Sequence, residues 1–337
     1  MRALGMDAPV LRHLVWNRSV DVFITDMVKE LVVFGEVTPG KPALCALLAE
    51  IRQDVGVNIQ IHIDELIAEV QTPQKFLPIQ TPPNLLFDLL LNIDFKEQVR
   101  LVREVITLHR TAAFLVHGEP YYGQQLLVTR LFRLKRQWKN ISPVKIDVSH
   151  NGVGRSIPHL WRQLTFWFGL PKDAQPREII QRICDRLLTQ DVIFIFYTVD
   201  YMLPNILTTW LQDFWESLVE MVKADCCPTP EGTHLLMFLV DNSGSVCQSN
   251  IVLAKQYEQL EYPRFPLHLP PVSPFPPEIL DDWLDMVTGF ADVQMPAGLS
   301  SQVLLEKSDN GIPEFIYEEI CSHCGHKWEG GLAKWLI

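Results

Sequence analysis

Between Gly118 and Gln125 the chain reads GEPYYGQQ, with the apolar run AAFLV and His117 before it and LLVTRLFRL behind it. A phosphate-binding loop places G-x-x-x-x-G-K-[ST] in this setting, between a strand and a helix, so that backbone N–H groups cradle an anion at the helix N-terminus. Gly118 and Gly123 supply that outline. Gln124 stands where the lysine belongs, and Gln125 where a hydroxyl should reach magnesium. A lysine ammonium about 4 Å from one phosphate charge is worth roughly 4 kcal/mol at an effective dielectric near 20, on the order of a thousandfold in affinity. Glutamine donates hydrogen bonds without that charge. The pattern therefore argues against stabilising a transferring phosphoryl group and leaves weak ATP or ADP binding open; no cofactor is expected.

The same loss recurs at a second place. An apolar strand should end in an acid that helps hold magnesium, yet VIFIF runs into Tyr197 and Thr198, and the first carboxylate is Asp200. The competing reading is an ordinary strand-to-helix turn of an unrelated α/β fold, and a further alternative is an unrelated α/β enzyme using His117 or the Cys321 region. Other candidate groups are weaker. EICSHCGHKW carries Cys321, His323, Cys324 and His326, half a zinc site by spacing. The chain has no second C-x-x-C, and the adjacent Cys226 and Cys227 would join only through folding. A terminal helix with buried or free cysteines is the expectation, with no metal, and zinc at Cys321 and Cys324 is the alternative. Arg130, Arg133, Lys135, Arg136 and Lys139 share a helix with the core stripe Leu127, Leu131, Leu134 and Trp138, so they read as its solvated face and not as a nucleic-acid patch. Asp281, Asp282 and Asp285 suit a helix start. There is no G-x-S-x-G and no Q-A-C-x-G, and His117 reads as a packed strand-end histidine.

The elements that must position these residues follow from periodicity. With 337 residues, 47% of them hydrophobic, the chain exceeds the usual single-domain length. Its net charge of -11 gives no bulk attraction to nucleic acid or anionic lipid. Seven scattered cysteines fit a reducing compartment, and LLFDLLLNI and VIFIFYTV are too short to span a bilayer, so a cytoplasmic protein is expected. From Val20 to Val70 the pattern is helical. Phe23, Met27, Leu31 and Phe34 form one stripe ending at Gly35; Leu44, Leu47, Leu48 and Ile51 form a second after Pro42. Ile59, Ile63, Leu66, Ile67 and Val70 form a third. TPQKFLPIQTPPN is a proline-rich linker. Beyond it, helices alternate with strands at 112–116, 144–148, 192–196 and 235–240, apolar on both faces, which predicts a parallel sheet covered on two sides.

The segments FLVHGEPYYGQQLLVTRL, VIFIFYTVDYM, the pair Phe214 and Trp215, and HLLMFLVDNSG together resemble the inactive STAND family, signal-transduction proteins of the AAA-related P-loop class. The resemblance implies that Tyr121 occupies a position where active relatives carry a third glycine. It also implies that Asp241 and Asn242 sit at a sensor position, and that Gln124, Gln125 and Tyr197 replace catalytic groups. LVVFGEVTPGKPALCALLAEIRQDVGVNIQIHIDELIAEV resembles the effector-associated domains, death-like helical modules that recruit an effector, often a caspase-like or trypsin-like protease, by pairing with a matching module. The implied organisation is a small all-α bundle at 1–70, a linker at 71–83, a P-loop NTPase-like α/β domain at 84–300 and a C-terminal extension with a helix at 301–337. The implied function is a non-catalytic signalling adaptor or scaffold in a bacterial conflict or defence system, with no nucleic-acid or membrane partner and homo-oligomerisation open. A nucleotide-regulated switch without efficient hydrolysis is the alternative.

Overall fold

The computed structural model describes residues 31, 36–38, 41–71, 81–134, 138, 141–224, 233–289 and 298–336. The chain divides into two compact units, Met1–Ile79 and Gln80–Ile337. The expected helix over 20–35 lies outside the described residues except for Leu31, which is buried, as does most of the proline-rich linker.

In the first unit Glu36–Thr38 pairs antiparallel with Lys41–Pro42, a ribbon that an all-helical reading did not include. Two helices follow, α1 (Ala43–Gln53) and α2 (Val57–Gln71). Arg52 on α1 grips Asp64 on α2 through two hydrogen bonds of 2.5 and 2.8 Å. The core here is small: Ala43, Cys45, Ala46 and Ile63 are buried. Ile51, Ile59 and Leu66, expected to face inward, are exposed, as are Val57 and Ile61. Helical spacing identified an apolar helix correctly but not which of its sides packs, because α2 carries apolar residues around most of its circumference.

The second unit is built on five parallel strands: β1 (Thr111–His117), β2 (Val144–Asp147), β3 (Val192–Tyr197), β4 (Leu235–Asp241) and β5 (Leu267–His268), in the order β2-β3-β4-β1-β5. Successive side chains of a strand point to opposite faces, and β4 shows it fully. Leu236, Phe238 and Val240 join one core, while Leu235, Met237 and Leu239 join the other. The first core is covered by α3 (Pro83–Leu90), α4 (Lys96–Leu108), α5 (Gln124–Phe132), α10 (Pro277–Thr288), α11 (Ser301–Lys307) and α12 (Pro313–His323). The second is covered by α6 (Ile157–Trp167), α7 (Pro176–Leu187), α8 (Pro204–Trp210) and α9 (Ser217–Ala224). Each large apolar side chain buried this way contributes roughly 1.5–3 kcal/mol.

Between α8 and α9 the helix passes through a π-helical turn, Leu211–Glu216. Trp215 leaves it to donate from Nε1 to the Pro263 carbonyl at 2.8 Å, and Glu216 pairs with Arg264 at 2.6 Å. Strand β5, only two residues long, was not legible as a strand; its partner is β1, through Phe114↔Leu267 and Leu115↔His268.

Because every strand runs the same way, all five carboxyl ends lie along one edge of the sheet, where open parallel sheets place their ligand crevices. In register, His117 lies beside Asp241 and Asp147 beside Tyr197.

Candidate functional site

The loop from Gly118 to Gly123 leaves β1 and enters α5, the setting expected from the sequence. Gly118 bridges to Val272, and a Cβ there would lie 2.9 Å from the Val272 carbonyl oxygen, so only glycine fits. Gly123 has φ +82° and Tyr121 φ +68°. The left-handed conformation costs a residue with a side chain roughly 1–2 kcal/mol. Tyr121 holds it through two contacts with α12: its carbonyl accepts from the Glu314 N–H at 3.0 Å, and its ring stacks on Phe315 with centroids 5.6 Å apart.

Gln124 does not project from the loop. It is 2% exposed, and its side-chain amide donates to the Glu119 carbonyl at 2.9 Å, closing the loop on itself. The replacement therefore removes a charge and also occupies the loop's interior. From outside, α12 covers the turn: a Cβ at Gly123 would meet the Tyr317 ring at 3.3 Å and Pro313 at 3.4 Å. Beside it is a cavity of about 380 Å³ whose lining includes Tyr121, Gln125, Trp328, Glu314, Glu318 and Glu329. Burial, and secondarily Glu329, push the Glu314 carboxyl upward. Glu318 and Glu329 place negative charge in this cavity's lining, which opposes a polyphosphate there.

At the end of β3 the expected acid is absent. Tyr197 is buried, and burial raises its phenol well above the usual range. Thr198 takes φ +57° and donates from Oγ1 to Asp147 Oδ1 at 2.5 Å. Asp200 accepts from the Asn242 backbone N–H at 3.2 Å. Asp241, fully buried, accepts from the N–H groups of Ser243 at 3.0 Å and Val246 at 2.8 Å, holding the short helix Ser245–Gln248 against the sheet. These carboxylates are engaged with backbone.

Sequence reasoning overlooked Asp147, one strand over. It accepts from Thr198, from the Ser149 N–H and hydroxyl, and lies 2.8 Å from His150 Nδ1. Partial burial alone would raise its carboxyl, but the hydrogen bonds from Thr198, Ser149 and His150 outweigh it and hold the carboxyl below the usual carboxylate range. A depressed carboxylate stabilises the fold fully above its unfolded pKa, and that contribution is lost as pH falls through the lower folded value. Asp147→Asn is expected to lower the urea midpoint at neutral pH, with the difference from the parent shrinking as pH falls below about 4. A difference that persists unchanged at low pH would assign the loss to packing.

Other expected residues disperse. Cys321 and Cys324 are buried, with burial raising their thiols to about 12 and about 11. His323 Nδ1 lies 3.0 Å from the Glu319 carbonyl, and His326 Nε2 lies 2.9 Å from that of Thr81. Arg130 bonds the Asp94 carbonyl, while Arg133 pairs with Asp88 and sits over Phe87. Arg133 is exposed, as expected of a solvated face, whereas half-buried Arg130 is bonded inward and departs from that expectation. Lys135, Arg136, Lys139, Cys226 and Cys227 lie outside the described residues. His117, expected as a packed histidine, is 7% exposed and stacks on His268 at 4.4 Å, with Cys247 beside it.

Residues 90–240 match the family described as inactive STAND, and residues 1–70 match effector-associated domain 8. No curated protein sequence matches the chain. Among solved structures it is similar to a Walker-type ATPase of Pyrococcus abyssi, at 15% identity and TM-score 0.38 over 67% of this chain and 66% of that one. It is also similar to the Orc1 protein of Aeropyrum pernix in complex with DNA, at 12% identity and TM-score 0.35 over 73% and 60%. The chain spans just under two thirds of the first of these and less of the second. Among the described residues, no helix is long and apolar enough to cross a membrane.

Proposed function

We propose that this chain, an inactive STAND domain preceded by an effector-associated domain, is a non-catalytic signalling adaptor of a bacterial conflict or defence system. Residues 1–70 recruit an effector through its matching module, a linker at 71–83 follows, and the α/β domain at 84–300 with its extension at 301–337 receives or scaffolds the signal. Catalysis belongs to the recruited protein, a caspase-like or trypsin-like protease in this reading.

The observation that carries the proposal is Gln124. Its buried amide is bonded to the Glu119 carbonyl, so the lysine position serves to close the loop. Tyr197 in place of the acid and the acid-lined cavity beside Tyr121 add support. The missing lysine charge alone removes about 4 kcal/mol of phosphate affinity, which favours the adaptor over a nucleotide-regulated switch.

Purified protein with ATP and magnesium is expected to release phosphate at the buffer rate, and calorimetric titration with ATP or ADP to give no saturable heat. Phosphate release above background that Gly123→Asp abolishes would sink the reading. Saturable nucleotide binding without turnover would replace it with the switch.

A further inference from the structure

We infer that the carboxyl edge of the sheet holds a binding site for a divalent cation of the zinc class, with His117, Cys247 and His268 as its protein ligands and a fourth position open to water. The three residues come from β1, the helix Ser245–Gln248 and β5, and one ligand atom from each lies within 4.8 Å of the others. Imidazole nitrogen and thiolate sulfur together suit zinc better than magnesium or calcium, which take oxygen.

Distances and supporting bonds fit this assignment. Cys247 Sγ lies 3.3 Å from His268 Nε2; sulfur and nitrogen bound to one tetrahedral zinc, with bonds near 2.3 and 2.0 Å, are roughly 3.5 Å apart. His117 Nε2 bonds the Leu269 carbonyl at 2.9 Å. As donor there, the ring leaves the Nδ1 lone pair for a metal, the arrangement in which a ligating histidine is oriented by its other nitrogen. Cys247 is positioned by Asp241, whose Oδ2 accepts from the Val246 N–H at 2.8 Å. The β5 backbone is fixed in turn by pairing with β1 and by the His268 N–H, which donates to Ala254 at 2.9 Å.

One movement is required. The rings of His117 and His268 stack at 4.4 Å and 18°, so their in-plane lone pairs do not converge. Metal capture turns the His268 ring about its Cβ–Cγ bond, a soft torsion. His268 is half-buried whereas His117 is buried, so His268 is the ring with room to turn. Binding forms the metal–sulfur bond and releases the Cys247 thiol proton to solvent, so affinity weakens as pH is lowered.

The pair Cys247 and His268 also resembles a nucleophile and its base. Burial, with Asp241 adding to it, raises the thiol to about 11, while burial and His117 lower the His268 pKa. Both shifts favour the uncharged pair and oppose a standing thiolate. A metal ion, which coordinates a deprotonated thiol, reverses that preference.

The test is titration of the full chain with cobalt(II), then zinc, under reducing conditions. One equivalent of cobalt is expected to give the visible absorption of a tetrahedral site with a near-ultraviolet thiolate charge-transfer band, both bleached by zinc. Cys247→Ser should remove the charge-transfer band, and both it and His268→Ala should weaken zinc binding by at least about tenfold. The double variant Cys321→Ser, Cys324→Ser should leave spectrum and affinity unchanged. Absence of the tetrahedral spectrum in the unmodified protein overturns the proposal whatever the variants do. So does retention of the thiolate band in Cys247→Ser, or its loss in the Cys321, Cys324 double variant.

Discussion

Replacing Val57 and Ile61 together by glutamate is expected to abolish the effector capture proposed for residues 1–70 while α2 stays folded. The two side chains are 71% and 53% exposed, and four residues apart they are neighbours on one helix face. Ile59 and Leu66 add further exposed apolar surface to the same helix. Interface hot spots cost 2 kcal/mol or more when lost, on the order of thirtyfold each, and a buried carboxylate in their place costs more. Stability should change little, because neither side chain is in the unit's core and a glutamate in the first turn suits the helix dipole. Co-purification of the parent and double-variant module with its effector, alongside far-ultraviolet circular dichroism, separates the two effects. Undiminished capture would remove this helix face from the interface.

Gly311→Ala should be among the most damaging single substitutions in the second unit. Gly311 has φ +99°, and a Cβ there would lie 2.4 Å from the Phe275 carbonyl oxygen, a backbone atom with little freedom to retreat. The same residue accepts from the Phe275 N–H at 2.8 Å and donates to Ser308 Oγ at 3.0 Å, joining the end of α11 to the start of α12. Left-handed strain of roughly 1–2 kcal/mol adds to the clash, for an expected loss of about 3 kcal/mol or more. Equilibrium urea unfolding measures it. Because α12 supplies the contacts of Tyr121, the variant should also be cleaved by protease in the 118–123 loop faster than the parent. A midpoint equal to the parent's would show that the turn relaxes.

Much of this architecture was legible in residue types. AAFLV, VIFIF and LLMFLV are apolar at every position because both faces of their strands are buried, and they mark β1, β3 and β4 without ambiguity. Gly118 and Gly123 marked the loop because the close approach of Gly118 to Val272 excludes a side chain and the positive φ of Gly123 favours glycine. Long-range assembly was not legible. His117, Cys247 and His268 are far apart in the chain, and only the register of β1 with β4 and β5 brings them together. Asp147 looked like any strand-end acid until Thr198 was placed across from it. The inward side of α2 was misread at Ile59 and Leu66, since periodicity identifies a face only when the opposite face is polar.

The contact between Glu314 and Tyr121 has a consequence for how the protein is made. A chain emerges from the ribosome in order, so β1 and its loop are exposed long before α12 exists. At about 5–20 residues per second the intervening stretch takes on the order of 10–40 s to synthesise. During that interval Tyr121 lacks the stacking and the hydrogen bond that hold it, and the surface later covered by Tyr317 faces solvent or a chaperone. The contacts of Tyr121 with Glu314 and Phe315 form only after α12 has been made, so they report that synthesis has passed that helix.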